Sequence, residues 1–599
     1  MTAKFVQPKT YTNTVFKYRR SKDQDAPTPI RHQVIIVGGG PTGLTAALDL
    51  ASRSISSVIL MKENTVVMGS RAICFSKKTL EVVNRLGQVE KMLDKGVTWN
   101  IGKVFYDEDL VYEFNLLPED GHKIPAFINL QQYYYEEYLV NAIHENPMIE
   151  LRWQEELVDI EQNQDRVSVT VRTPEGNYQM ETEYLLACDG VHSPTRKKLG
   201  ISYEGEKFAE NFLIADITME SDFPTERWFW FDPPFNRGYS ALLHKQPDGV
   251  WRIDLQLGGD IDKEEELDQD KIRKRLRRML GDDVKFELEW TSIYQFRCMR
   301  MPKFVHDRII FAGDAAHLVS PFGARGANGG VQDVDNLCWK LAYVLNGMAS
   351  KSLLDTYDEE RSPATDENIF HSSNATDFIS PKSEVSLQFR NAALDLAKEN
   401  AYARTLINSG RLSNPYRYID SSLCTPDTDN DWETNLQIGY AAKDAIYNNG
   451  FLVDVLGNDF TLLVMGNHVI ENDHIKVISI GEGNVDLIEK YNLRDGTWYL
   501  IRPDHHIAAR GRKFDVDVIQ KAMEVSLGLK DVSREMTTPD LFSKYRSDDK
   551  YKRLIEAHKG LSKAESDLLN NKLILLFLED IDIEKLVDLV TVARNTNNG

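Results

Sequence analysis

Gly38, Gly40 and Gly43, in the run GGGPTG, have the spacing of glycines that wrap a pyrophosphate. The first permits a tight turn. The second lets a phosphate approach the backbone, and the third lets a helix pack closely on a sheet. The run stands where that chemistry requires it, after the apolar stretch QVIIV and ahead of a helical pattern from Pro41 to Arg53. The helix start adds unpaired N–H groups and a partial positive charge. Such a motif normally closes with an acid on a ribose hydroxyl. The next strand, in SSVIL, ends by spacing at Met61, and Glu63 stands twenty residues after Gly43. Glu63 is either that acid, displaced by two positions, or a solvated side chain.

A second glycine-rich stretch lies far downstream, in RIIFAGDAAHLVSPFGARGANGGVQ. A strand ends there at Gly313 and Asp314, and Pro321, Gly323, Gly326, Ala327 and Asn328 follow at a helix start. Asp314 can accept hydrogen bonds from ribitol or ribose hydroxyls. The freed N–H groups suit the N1–C2 carbonyl edge of a reduced flavin. A single strand-linked G-x-G-x-x-G is found, so a second complete nicotinamide domain is not visible. The one motif could hold FAD or a nicotinamide, and it is the downstream stretch that points to FAD.

With GSRAICFSKKTLEVVNRLG and the run Ala187-Cys188-Asp189-Gly190, these motifs resemble those of the FAD-dependent aromatic hydroxylases over residues 32–410. That family includes the p-hydroxybenzoate, phenol and 3-(3-hydroxyphenyl)propionate hydroxylases. The resemblance implies that Gly38, Gly40 and Gly43 hold the FAD pyrophosphate and that Arg71 contacts an FAD phosphate. It makes Gln132 an FAD contact, with the adjacent Gln131 as its rival. Asp189 would serve FAD and the nicotinamide together, and Asp314 the ribitol. Pro321, Gly323 and Gly326 would shape the flavin loop, with Ala327 and Asn328 presenting N–H groups to the isoalloxazine. NADH or NADPH would dock transiently as co-substrate. The implied reaction is single-component hydroxylation of a phenolic or other electron-rich aromatic by NAD(P)H and dioxygen, through a flavin C4a-hydroperoxide in a dry pocket.

A substrate wall is expected in the aromatic-rich segment 201–300. In WRIDLQL, alternation puts Arg252, Asp254 and Gln256 on one face. That face either lines the pocket, with Arg252 and Asp254 orienting a phenol or carboxylate, or is a solvated sheet surface. Tyr239 and His244 are further catalytic candidates. His317 either approaches the flavin or packs as a strand-end histidine. Five scattered cysteines without a C-x-x-C give no metal-binding pattern. Two other functions stay open: an FAD-dependent dehydrogenase or reductase without oxygen insertion, and a flavin-binding regulator without catalysis.

The elements that must position these residues form an α/β chain. We expect a Rossmann-type FAD-binding domain with an inserted, mostly antiparallel β-sheet substrate domain. Its parts are a polar arm (1–31), the first FAD segment (32–200), the sheet (201–300), and the second FAD segment with helices (301–412). A linker (413–434) follows. GYAAKDA and RPDHHIAAR make residues 435–530 resemble the cysteine-free thioredoxin-like domain of phenol hydroxylase-type members. A short helical tail, 531–599, closes the chain. A net charge of −21 argues against a nucleic-acid partner. No run reaches the ~18 apolar residues of a membrane span. A cytoplasmic protein is expected, with its oligomeric state open and a homodimer among the readings.

Overall fold

The computed structural model describes residues 9–529 apart from 68, 70, 408–413, 430, 471 and 473. The expected helical tail, 531–599, lies outside the described residues. Two eight-stranded sheets organise the larger part of the chain. The first runs Val305–His306, Ile309–Phe311, Gly176–Ala187, Ile30–Val37, Ser57–Met61, Ile149–Trp153, with a meander of Glu156–Gln162 and Val167–Thr173 folded off Gly176–Ala187. Ile30–Val37 sits between two parallel partners, and its β-branched end, Val34 to Val37, is buried. A continuous apolar run suits such a strand because both faces are covered. Helix Pro41–Ser52 follows, its proline at the first turn where the missing N–H costs nothing.

The second sheet runs His317–Leu318, Phe286–Arg300, Glu204–Met219, Val250–Gly258, Ser240–Lys245, Arg227–Phe231, Ile101–Tyr106, Asp109–Asn115. It is antiparallel except where Arg227–Phe231 pairs with Ile101–Tyr106. Two of its strands therefore come from outside the expected span 201–300, as does a third, His317–Leu318, which follows Ile309–Phe311 of the first sheet. The N-terminal residues are also more tightly placed than a polar arm implies. Tyr11 stacks on Tyr133 at 4.0 Å, Phe16 stacks on Trp153 at 4.1 Å, and Asp23 pairs with buried Arg152 at 2.8 Å.

The C-terminal unit has its own four-stranded sheet, ordered Ile475–Ile480, Phe460–Met465, Trp498–Ile501, Ile507–Gly511. The first pair is parallel and the others antiparallel. The loop after Trp498–Ile501 drives into the body built on the first sheet. Arg502, fully buried, ion-pairs with Glu360 of helix Asp355–Ile379 and with Asp504. Lys340 of helix Gly326–Leu345 reaches the same Glu360 at 2.6 Å. Lys78 Nζ and Arg85 Nη1 donate to the carbonyls of Asp504 and Pro503 at 2.8 and 2.9 Å. The expected linker is no loose spacer either, since Tyr418, Leu423 and Cys424 are buried.

Candidate flavin site and substrate cavity

The three motif glycines are needed for different reasons. Gly38 has φ +97°, and a Cβ there would lie 2.4 Å from the Cys188 carbonyl oxygen. A Cβ on Gly43 would lie 2.0 Å from the Gly38 oxygen. Both are excluded by the chain's own packing. A Cβ on Gly40 would meet nothing within 4 Å. That open approach to backbone is what a pyrophosphate requires. Met61 fills the strand-end position, its Sδ accepting the Gly39 N–H at 2.8 Å, and Glu63 is exposed beyond it. Asp189 closes the other side of the turn. Its Oδ2 accepts the Thr195 N–H at 3.0 Å, whereas Oδ1 is buried without a partner. Burial raises this carboxyl above the usual range, against the hydrogen bonds from Ser193 and Thr195.

The two glycine-rich stretches meet at Thr42. A Cβ on Gly330 would stand 2.4 Å from Thr42 Oγ1 and 3.1 Å from Gly313 Cα, and one on Gly313 would stand 2.6 Å from Thr42 Oγ1. Helix Gly326–Leu345 thus begins against helix Pro41–Ser52. Gly329 donates its N–H to the Arg325 carbonyl at 2.6 Å. The N–H groups of Gly326, Ala327 and Asn328, in the first turn, have no acceptor within the helix. Asp314 reaches solvent although protein surrounds it, as a side chain in a cleft does. That crowding raises its carboxyl, while the positive fields of His317 and Arg71 act against the rise. Pro321 is exposed at the loop's edge, and Gly323 turns with φ +90°.

The Asn328 side chain has a task that the sequence did not reveal. Its Oδ1 accepts the Ser76 N–H at 2.9 Å and the Thr79 hydroxyl at 2.7 Å, and its Nδ2 donates to the Cys74 carbonyl at 2.9 Å. This fastens the flavin loop to strand Cys74–Ser76. Just before that strand, Gln132 Oε1 accepts the Ala72 N–H at 3.0 Å, bracing the segment that carries exposed Arg71. Gln131 instead donates to the Pro247 carbonyl at 3.3 Å. Glu136 accepts from Gln132 Nε2 and the Val67 N–H, each at 2.7 Å. Burial pushes its carboxyl up to about 7, against those bonds and the charge of Arg71. His317 is a packed strand-end residue. Its Nε2 meets Asp333 Oδ2 at 2.6 Å, and Arg361 Nε meets Oδ1 at 2.8 Å. Burial would raise Asp333, but these two partners hold it well below the usual range.

On the second sheet, register brings Arg227, His244, Arg252 and Asp216 into one row across the strands. Phe229, Leu242, Asp254 and Ile214 form the next row. Arg252 is committed to Asp216 by two bonds, 2.7 and 2.8 Å, deep in the protein. Gln256 donates to Ser380 Oγ at 2.7 Å. Asp254 has a buried Oδ1 without a partner. Burial pushes its carboxyl up to about 6; Arg252 and Arg227 pull it down, and Asp216 pushes it up. His244 is buried with Nε2 unpartnered and Nδ1 3.9 Å from Cys74 Sγ. Burial, then Arg227 and Arg252, hold its imidazole well below the usual range. Tyr239 is 38% exposed and packs at Gly258, away from these rows.

A small cavity of about 50 Å³ opens at the Arg227–Phe231 edge of this face, and Arg252, Asp254, His244 and Tyr239 are not on its lining. Phe114, Phe229, Phe231 and Phe322 line it, with Gly323 of the flavin loop and Arg227. Sequence reasoning missed Arg227 and Phe322. The period of two in RWFWF held part of the signal, since it separates Arg227, Phe229 and Phe231 from Trp228 and Trp230.

A parallel sheet with a glycine cradle, a flavin-type loop closing on it, and an antiparallel sheet walling an aromatic cavity define an FAD-dependent oxidoreductase in which a substrate is brought to the flavin. A family model described as FAD binding domain matches residues 31–371, and the chain belongs to that family, as an FAD-dependent monooxygenase of the aromatic hydroxylase type. A flavin-dependent monooxygenase of Mycobacteroides abscessus is 30% identical over 502 residues, covering 79% of this chain and 96% of that protein. A 3-(3-hydroxy-phenyl)propionate/3-hydroxycinnamic acid hydroxylase of Mycolicibacterium smegmatis is 24% identical, covering 83% of this chain and 92% of the relative. The crystal structure of the flavin-dependent monooxygenase PieE with FAD and substrate superposes with a TM-score of 0.70 at 21% identity, covering 84% of this chain and 100% of that one, a likeness of fold. A second family model, described as a protein of unknown function (DUF2783), matches residues 535–595. Among the described residues no helix is long and apolar enough to cross a membrane.

Proposed function

We propose that the protein hydroxylates a phenolic or otherwise electron-rich aromatic ring with NADH or NADPH and dioxygen. The observation that carries this reading is the aromatic cavity, which ends on Phe322 and Gly323 of the flavin loop. The names of the M. abscessus and M. smegmatis relatives support it. FAD fits the site, because the open backbone at Gly40 and the orphaned Asp189 Oδ1 each call for a partner that the chain does not supply. Bound FAD supplies hydride acceptance and oxygen activation.

The chain's own residues do the rest. Gly38, Gly40 and Gly43 hold the pyrophosphate. Arg71, set in place by Gln132, meets a phosphate, and Asp189 and Asp314 take hydroxyl groups. Glu63, exposed two residues past the strand end, takes the adenosine ribose. The first N–H groups of helix Gly326–Leu345, at Ala327 and Asn328, stabilise negative charge at the flavin's edge. Asp254 takes the proton of the ring hydroxyl, and its elevated carboxyl is still ionised at neutral pH and able to accept. Arg252 positions Asp254 while Asp216 fixes Arg252. His244 stays neutral beside them. The phenylalanine walls exclude water. The strand order of the C-terminal sheet, with its one parallel and two antiparallel pairings, supports the thioredoxin-like reading of that unit.

The test is a panel of phenols and phenolic acids given to purified holoenzyme. The expected result is substrate-stimulated NAD(P)H consumption with one labelled oxygen atom from dioxygen in the product. Stimulated consumption without label in product would replace the reading with a dehydrogenase. A flavin that no nicotinamide reduces would replace it with a non-catalytic binder.

A further inference from the structure

The N-terminal arm is fastened to both large sheets. Thr10 gives its N–H and its hydroxyl to Glu289 Oε1, each at 2.6 Å. Glu289 lies in strand Phe286–Arg300 of the second sheet, is buried, and has no other side-chain partner among the described residues. A buried carboxylate without donors is costly, so this contact holds the arm down. Tyr11 then stacks on Tyr133, next to Gln132. Phe16 donates its N–H to the Asn64 carbonyl at 2.7 Å, and its ring lies flat on Trp153, 4.1 Å away with 1° between the planes. Asp23 ends the crossing on Arg152 of the first sheet.

The middle anchors mark a particular place. Trp153 is the last residue of Ile149–Trp153 and pairs in parallel register with Met61, the position where a ribose-binding acid is expected. Asn64 directly follows Glu63, whose carbonyl accepts the Gln154 N–H at 3.1 Å. A dinucleotide seated at the glycine turn lies across the carboxyl ends of the parallel strands, with its adenosine ribose at the end of the second. The flavin loop springs from Ile309–Phe311, on the far side of Ile30–Val37, so the adenine belongs on the side of Ile149–Trp153. The arm crosses there. Tyr11, Asn13 and Phe16 are sheltered while Thr12, Thr14 and Val15 are exposed, so Asn13 turns toward the protein. Two polar atoms of this crossing are buried without partners, Asn13 Oδ1 and Trp153 Nε1. One is an acceptor and the other a donor. Adenine offers the complement, an amino group that donates and ring nitrogens that accept.

We propose that residues 9–25 form a clasp over the adenosine end of FAD, closed by Phe16, with Asn13 and Trp153 supplying the acceptor and the donor for adenine. Release of FAD then requires the clasp to peel from the sheets. The proposal rests on the reading that the glycine cradle holds the FAD pyrophosphate.

The test follows FAD release from holoenzyme, by the recovery of flavin fluorescence, and tryptic cleavage of the arm, where Lys17 and Arg19 are exposed. Phe16→Ala should speed release about tenfold or more, and Asn13→Ala about threefold. Phe16→Tyr keeps the stack and should stay within about twofold of wild type, which separates loss of the clasp from a general defect at this position. In apoprotein, FAD or ADP should slow cleavage after Lys17 and Arg19 about fivefold or more, whereas FMN, which has no adenosine, should leave it unchanged. Cleavage at equal rates with and without FAD, equal protection by FMN and FAD, or release from Phe16→Ala at the wild-type rate overturns the proposal. Gly40→Val tests the underlying reading separately, because a Cβ there meets no protein atom within 4 Å. Wild-type FAD affinity in Gly40→Val would remove the cradle and the clasp with it. Loss of FAD in Gly40→Val, together with unchanged release from Phe16→Ala, would remove the clasp alone.

Discussion

Gly330→Ala probes the junction on which the flavin site depends. The added methyl would sit 2.4 Å from Thr42 Oγ1, and the Gly313 Cα at 3.1 Å blocks its retreat. An ordinary contact needs roughly 1 Å more, so the two helices must part. Overpacking of this kind costs about 1–3 kcal/mol. If the cost falls on the closed arrangement that holds FAD, the dissociation constant rises about 5- to 150-fold, at ~1.4 kcal/mol per decade. Thr42→Ala removes the hydroxyl and leaves the methyl 3.1 Å from Gly313 Cα and 3.6 Å from residue 42 Cβ. The double variant should therefore recover most of the loss, as a coupled pair does. FAD titration of apoprotein by flavin fluorescence, paired with thermal unfolding, reads both quantities. Wild-type affinity and unchanged melting in Gly330→Ala, or no recovery in the double variant, would refute the placement of this loop against the cradle.

Two further outcomes follow from the second sheet. Asp216→Asn leaves Arg252 charged and without its counter-ion in a dry setting, so stability should drop by about 3–5 kcal/mol in urea unfolding, whereas the paired change Asp216→Leu with Arg252→Met should cost less; a drop under ~1 kcal/mol would show the pair to be solvated. Asp254 titrates at about 6 in the folded chain against an ordinary 3.8, so the native state holds its proton more tightly. Stability of the wild type relative to Asp254→Asn should then fall as pH rises from about 4 to about 6, by on the order of 3 kcal/mol at most, and the acidic limb of kcat/KM should vanish in the variant. A pH-independent difference between the two proteins would count against this assignment.

Legibility differed with the reach of the interactions. The glycine cradle and flavin loop were readable because each is local, a strand, a turn and a helix start within a few residues, and glycine is there for steric reasons. The wider sheet was only partly readable. WRIDLQL showed its alternation, but nothing in IGKVFY announces a parallel pairing with RWFWF more than a hundred residues away. Arg252 and Asp254 stood out as equals in the sequence. Register separates them, giving Arg252 a bidentate carboxylate and leaving one Asp254 oxygen bare. Asn328 was expected to act through its backbone, and its side chain proved to be a clamp because Ser76 and Thr79, distant in the chain, arrive beside it.

The buried knot of Arg502, Glu360, Lys340 and Asp504 has a consequence for inheritance. Neither half of the chain can be exchanged for an unrelated one without abandoning bare ions at the seam, since each side was written with the other's charges in view. The helix that opens against Pro41–Ser52 carries Lys340 four turns further on, so a graft at the C-terminal sheet would be felt at the glycine cradle. Recombination should therefore move these two units together, as one heritable piece.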